Sequence, residues 1–143
     1  MGHKNVIKKR VLVVDDDVSI LEVIKIILED GGYEVSTAQD ILEVKGKIGE
    51  VTPDLILLDI WLSGGDGGKI AEMLKKNSKT CSIPIIMISA HNDGRAIALK
   101  SKVDGFLAKP FDMADLLSVV KKHTAERELS SISKSKLTYK FGS

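Results

Sequence analysis

The sequence predicts an α/β fold, a doubly wound parallel sheet of five strands covered by five helices. Three observations point there. Short aliphatic runs recur along the chain, as in Val11-Leu12-Val13-Val14, Leu55-Ile56-Leu57-Leu58 and Ile85-Ile86-Met87-Ile88. Strands that are apolar on both faces belong to parallel sheets covered on both sides. Between the runs lie segments with apolar residues at helical spacing, and the alternation repeats five times, as βα units do.

Taken in order, Arg10–Val14 is a β-branched run and reads as the first strand. Val18–Asp30 carries Leu21, Ile24 and Leu28 on one helical face, and Gly31-Gly32 stops it. Glu34–Ala38 reads as the second strand. Asp40 suits the cap of a helix bearing Ile41, Val44 and Ile48, weakened by Gly46 and Gly49. Leu55–Leu58, ending at Asp59, is the third strand. A glycine-rich loop, Gly64-Gly65-Asp66-Gly67-Gly68, leads to a helix with Ile70 and Leu74 inward. Ile83–Ile88 is the fourth strand, with Pro84 near its start, where a missing N–H is tolerated. Gly94–Lys102 is a short polar helix and Gly105–Ala108 the fifth strand. Asp112 caps a last helix with Leu116, Leu117 and Val120 inward. Right-handed crossovers leave few topologies. The flavodoxin-like strand order 2-1-3-4-5 fits five strands, whereas a Rossmann order usually needs six.

Composition sets outer bounds. Of 143 residues, 43% are hydrophobic and 29% charged, which suits one globular domain with a core and excludes full disorder. The reading divides the chain into a basic extension over 1–8, a domain over 9–123, and a helix extension or flexible tail over 124–143. No apolar stretch approaches the roughly 20 residues of a membrane helix, and no apolar signal region follows the N-terminus. The single Cys81 reads as a reduced thiol, so the expected compartment is the cytoplasm. Residues 11–123 hold 13 basic and 18 acidic side chains, a net −5. Such a body argues against a nucleic-acid surface.

Ligands of doubly wound folds bind beyond the carboxyl ends of the strands. There the sequence places Asp15-Asp16-Asp17, then Asp59, then Ser89, then Lys109-Pro110. Neighbouring first and third strands would bring Asp15, Asp16 and Asp59 together. Three crowded carboxylates need a cation, and hard oxygen ligands with room for water favour Mg2+. Lys109 adds a fixed positive charge and Ser89 a hydroxyl donor. The set suits a transferring phosphoryl group with one carboxylate as nucleophile. Taken singly, each residue has a simpler role. Asp16 or Asp17 can cap the first helix, and for Asp17 that is the favoured reading. Asp59 can cap a turn, and Ser89 and Lys109 alone carry no signal; the joint pattern carries it. An aspartate-nucleophile hydrolase usually has a second Asp two residues after the nucleophile, and Trp61 stands there. A flavin or nucleotide binder wants a Gly- or Ser/Thr-rich loop after the first strand, where this chain is acidic.

Four segments carry a resemblance: Val11-Leu12-Val13-Val14-Asp15-Asp16-Asp17, Pro53-Asp54-Leu55-Ile56-Leu57-Leu58-Asp59, Ile83-Pro84-Ile85-Ile86-Met87-Ile88-Ser89-Ala90 and Gly105-Phe106-Leu107-Ala108-Lys109-Pro110-Phe111. Together the sequence resembles a response-regulator receiver domain of two-component signalling. The resemblance implies that Asp59 is the phosphoacceptor. It implies that Asp15, Asp16, Asp59 and the backbone carbonyl of Trp61 hold Mg2+. Ser89 becomes the hydroxyl that moves to the phosphoryl group, Lys109 its cationic partner, and Phe106 the aromatic switch residue. Trp61 and His91 flank the approach of water. The indole is expected to shield the acylphosphate, and His91 either positions a water or blocks one. The implied donor is a sensor histidine kinase or histidine phosphotransfer protein. The implied output is a downstream protein, or a homodimer, through the face of the fourth helix, fifth strand and fifth helix, without nucleic-acid or membrane contact. Such a domain is no enzyme beyond its own phosphorylation and dephosphorylation. Residues 124–143 are too few for an output domain. Two departures are plain: Ser63 stands where the family usually has Pro, and Gly64-Gly65 loosens the loop before Asp66-Gly67. The rival reading is a degenerate receiver that binds partners without phosphorylation.

Overall fold

The structure, a computed structural model, describes residues 7–62, 65–90 and 93–125, with residues 65 and 66 described by their backbone alone. Its elements are β1 (Arg10–Val14), α1 (Val18–Asp30), β2 (Glu34–Ala38), α2 (Ile41–Glu50), β3 (Leu55–Asp59), β4 (Trp61–Leu62), β5 (Gly65–Asp66), α3 (Gly67–Lys76), β6 (Ile85–Ser89), α4 (Gly94–Lys100) and β7 (Gly105–Ala108). A fifth helix, α5, occupies residues 113–125. The main sheet runs β2-β1-β3-β6-β7 and all its pairings are parallel. With the small β4–β5 hairpin set aside, this is the expected 2-1-3-4-5 order. Among the described residues no helix is long and apolar enough to cross a membrane.

Strand residues alternate between two cores. Leu12, Val14, Ile56, Leu58 and Met87 face Val44 of α2, Ile70 and Leu74 of α3 and Ala98 of α4. Val11, Val13, Leu55, Leu57, Ile86 and Ile88 face Leu21, Ile24 and Leu28 of α1 and Leu116 and Val120 of α5. The three central strands are therefore aliphatic at almost every position, while the edge strands β2 and β7 are only partly buried. Helix starts follow their caps. Asp17 accepts from Ser19 N, and Asp40 accepts from Glu43 N while Glu43 returns the bond to Gln39 N. At the amino ends of β6 and β7, Lys75 Nζ donates to the carbonyls of Cys81 (3.4 Å) and Ile83 (3.0 Å) and to Asp104 Oδ2 (2.8 Å). The same Asp104 oxygen accepts from Ile85 N at 2.8 Å.

Three boundaries differ from the sequence reading, each for a local reason. The glycine-rich stretch holds a two-residue antiparallel hairpin, Trp61 opposite Asp66 and Leu62 opposite Gly65, and α3 begins at Gly67. Strands this short leave no periodic signature. The fourth strand starts at Ile85, because Pro84 offers only its carbonyl, which accepts from Ile56 N at 3.0 Å. Helix α4 stops at Lys100, two residues early. Lys102 has a φ of 60° and closes the helix with Lys102 N to Leu99 O and Val103 N to Ala98 O. Helix α1 ends in the same two-bond motif with Gly32 at φ 98°. The second motif escapes a sequence reading because a lysine fills the glycine position.

A lysine in the left-handed region costs roughly 1–2 kcal/mol, partly offset by the extra chain entropy glycine loses on folding. Lys102→Gly is therefore expected to stabilise the protein by about 1 kcal/mol in urea denaturation. Lys102→Ala, which keeps a Cβ, should gain nothing.

Candidate functional site

The carboxyl ends of β1, β3, β6 and β7 form one rim, and the sheet ladder holds each end. Asp15 N donates to Ala38 O (3.1 Å), Ile60 N to Ile88 O (3.1 Å) and Lys109 N to Ser89 O (2.9 Å). The side chains at these positions therefore stand on ordered backbone, as a preorganised site requires.

Asp15 is buried. Its Oδ1 accepts the Asp17 N–H at 2.9 Å and its Oδ2 faces Lys109 Nζ at 3.6 Å. Asp17 turns away to cap α1, as favoured from the sequence. Asp16 is half-buried, and its ligand oxygen, with those of Asp15 and Asp59, lies in a group within 4.8 Å of one another. Asp59 ends β3 at 7% exposure. Its Oδ2 is 4.0 Å from Lys109 Nζ, and its Oδ1 accepts a long bond from Trp61 N at 3.4 Å. Ser89, at 2% exposure, ends β6. Lys109 follows β7, and its peptide bond to Pro110 is cis. Phe106 lies in β7, half-buried, with the Arg95 guanidinium carbon 5.1 Å from its ring centroid. The Trp61 indole is 43% exposed on the hairpin. Ser63 and His91 lie outside the described residues.

Two glycines at the site went unassigned in the sequence. A Cβ on Gly67 would collide with the Asp59 carbonyl oxygen and come within 2.8 Å of Ile60 Cα. Gly67 N also donates to Ile60 O at 2.8 Å. The first turn of α3 thus rests directly on the Asp59 end of β3, which only glycine permits. A Cβ on Gly94 would lie 2.8 Å from Ser89 Cβ and 3.0 Å from Phe106 Cε1. In the sequence Gly67 stands among five residues that read as a flexible loop, and the required glycine is indistinguishable from the permissive ones.

The electrostatics are unbalanced. Burial pushes the Asp59 carboxyl up to about 6, and the Asp15 charge adds to it; Lys109 and the Trp61 N–H oppose both. Burial also raises Asp15, against the Asp17 N–H and Lys109. Lys109 lies within 4.0 Å of Asp15 and Asp59, two carboxylates whose burial disfavours their ionised forms. Asp15, Asp16 and Asp59 together could hold a small hard cation, because all their donors are oxygen.

Comparison with known proteins gives a consistent result. The sequence profile of the response regulator receiver domain matches residues 11–121. The phosphate regulon transcriptional regulatory protein PhoB of Escherichia coli is 35% identical over 115 residues, covering 79% of this chain and 50% of that protein. The DNA-binding response regulator MtrA of Mycobacterium leprae is 33% identical, covering 80% and 50%. The chain spans about half the length of these relatives. Among solved structures, the chemotaxis response regulator CheY4 of Vibrio cholerae superposes with a TM-score of 0.76 at 28% identity, covering 82% of this chain and 99% of that one. The receiver domain of NtrX from Brucella abortus gives 0.75 at 34%, covering 80% and 98%.

The raised carboxyl of Asp59 makes stability depend on pH. In the folded protein it takes up a proton near pH 6, whereas in the unfolded chain it does so near 4. The folded state therefore binds more protons between these values, and stability falls as pH rises through that window. In metal-free buffer at pH 7.5, Asp59→Asn is expected to raise the unfolding temperature by about 5 °C. At pH 4.5 the advantage should largely disappear. Equal midpoints at pH 7.5 would show that the acid cluster is not under strain.

Proposed function

The chain belongs to the response-regulator receiver family, and on that premise we propose that it accepts a phosphoryl group on Asp59 and relays the event to a partner surface. The observation that carries this reading is the gathering of Asp15, Asp16 and Asp59 at one rim of the sheet with Lys109 as their cationic neighbour. The donor is a sensor histidine kinase or a histidine phosphotransfer protein in the cytoplasm. An ionised Asp59 oxygen attacks phosphorus as the bond from phosphorus to the donor imidazole breaks. The electron pair of that bond leaves with the imidazole, and an acylphosphate remains. Asp15, Asp16, Asp59 and the Trp61 carbonyl are the groups that would hold Mg2+. When bound, the ion supplies charge that lets the carboxylates stay ionised together and offsets the phosphoryl oxygens. Lys109 Nζ pairs with a phosphoryl oxygen, and the Ser89 hydroxyl donates to another. The domain catalyses no reaction beyond forming and losing its own acylphosphate.

Two surfaces flank this chemistry. A mainly apolar groove of about 470 Å³ runs beside Lys109, lined by Ile20, Val23 and Ile24 of α1 and by Pro110 and Phe111. It offers a seat for the helix that carries the donor histidine. On the other side lies the α4–β7–α5 face, which holds Phe106. Displacement of Ser89 toward the phosphoryl group lets Phe106 repack and alters that face for a downstream protein or a second copy. Phe106 has no hydroxyl, so its inward state buries no unsatisfied polar group.

Acetyl phosphate with Mg2+ should add one phosphoryl group to the protein, read by intact mass. Asp59→Ala or excess EDTA should abolish it, and equal labelling of Asp59→Ala would refute the assignment. A further expectation concerns lifetime. With Trp61→Asn the bulky indole no longer screens the in-line path of water, so loss of the phosphoryl group should be faster. Tenfold corresponds to only about 1.4 kcal/mol in the barrier. An unchanged or slower loss would show that Trp61 does not shield; His91→Ala, made separately, tests the other flank.

A further inference from the structure

Ser89, Gly94 and Phe106 pack closely against one another. The point where a Gly94 Cβ would sit is 2.8 Å from Ser89 Cβ, 3.0 Å from Phe106 Cε1 and 3.1 Å from Phe106 Cζ. Gly94 opens α4, so the helix start rests on both the hydroxyl residue and the aromatic ring. The next residue, Arg95, is exposed, and its guanidinium lies over the Phe106 ring at 5.1 Å from the centroid. A cation over an aromatic face is attracted by the ring quadrupole. The ring is thus touched at its edge by the Gly94 backbone and over its face by Arg95.

We propose that Arg95 is a positioning residue for the phosphorylation switch: stacked on Phe106, it holds the ring in its half-buried place and so opposes capture of a phosphoryl group at Asp59. The inference rests on the function proposed above. A group can shift a two-state equilibrium only by its differential interaction with the two states. The Arg95 contact meets that condition, because a Phe106 ring that follows Ser89 inward leaves the guanidinium behind. A stack of this kind at an exposed site corresponds to a factor of about two to five in the equilibrium. Apparent affinity for a ligand of the inward state falls by the fraction of protein not in that state. Gly94 is the complementary element, since only a residue without a side chain lets α4 start this close to Ser89 and Phe106.

The test is a beryllofluoride titration in Mg2+, followed by amide NMR, on wild type, Arg95→Ala and Arg95→Lys, with melting temperatures taken for each. Arg95→Ala should tighten binding about two- to five-fold. Arg95→Lys, which keeps the charge but not the planar group, should fall between. The sign discriminates, because mere loss of a positive charge near the rim would weaken binding of an anion. In a Phe106→Leu background the Arg95→Ala effect should vanish. A readout free of metal is the Arg95 δ-proton shift, displaced by the ring current in wild type and restored in Phe106→Leu. If wild type binds the mimic and Arg95→Ala leaves the midpoint unchanged or weaker, the positioning role is overturned and the phosphoacceptor reading stands. If wild type does not bind the mimic at all, both fall together.

Discussion

Asp15 and Asp59, side by side at the ends of adjacent strands and nearly closed to water, set the terms for the rest of the molecule. Their charges repel, and burial makes the charged form of each costly. Left to themselves the two strand ends would splay. They do not, because Val14 and Leu58 pair directly just before them, and each end is tied to its outer neighbour, Asp15 N to Ala38 O of β2 and Ile60 N to Ile88 O of β6. Behind those bonds lie two aliphatic cores whose strands contribute side chains alternately to both faces. The apolar burial of the sheet offsets the cost of holding like charges together.

The two ends of the sheet are built on opposite terms. At the amino ends of β6 and β7, Lys75 and Asp104 satisfy each other together with two carbonyls and the Ile85 N–H. At the carboxyl ends, Lys109 lies within 4.0 Å of two carboxylates, those of Asp15 and Asp59, whose ionised forms burial disfavours. Local rules are met at the first end and broken at the second, and functional sites are where such breaches are expected. Lys109 sits between Asp15 and Asp59 without closing tightly on either, at 3.6 and 4.0 Å.

The central strands were legible because burial on both faces forces aliphatic residues at consecutive positions, and α1 because its three buried residues keep strict helical spacing. Asp15, Asp16, Asp59, Ser89 and Lys109 were legible through their places at strand ends, since topology alone brings strand ends together. What stayed hidden has physical causes. The β4–β5 hairpin is too short for a period. Lys102 takes a backbone conformation its side chain does not advertise. Gly67 and Gly94 are demanded by contacts with residues five to twelve positions away, on other elements, and nothing in a glycine reveals what lies against it. The Arg95–Phe106 stack stayed hidden because Arg95 carries no signal of its own in the sequence, although Phe106 does.

The close seat of Gly67 against the Asp59 carbonyl has a mechanical consequence. Behind the acceptor the backbone of α3 is already in contact, and packed protein interiors are only weakly compressible. The Asp59 end of β3 therefore has no room to yield toward α3. On the far side of β6 the seven-residue α4 begins at Gly94, itself packed closely on Ser89 and Phe106. β3 works as an anvil: a push at Asp59 is met by solid backbone behind it and is passed on along the sheet and not absorbed there.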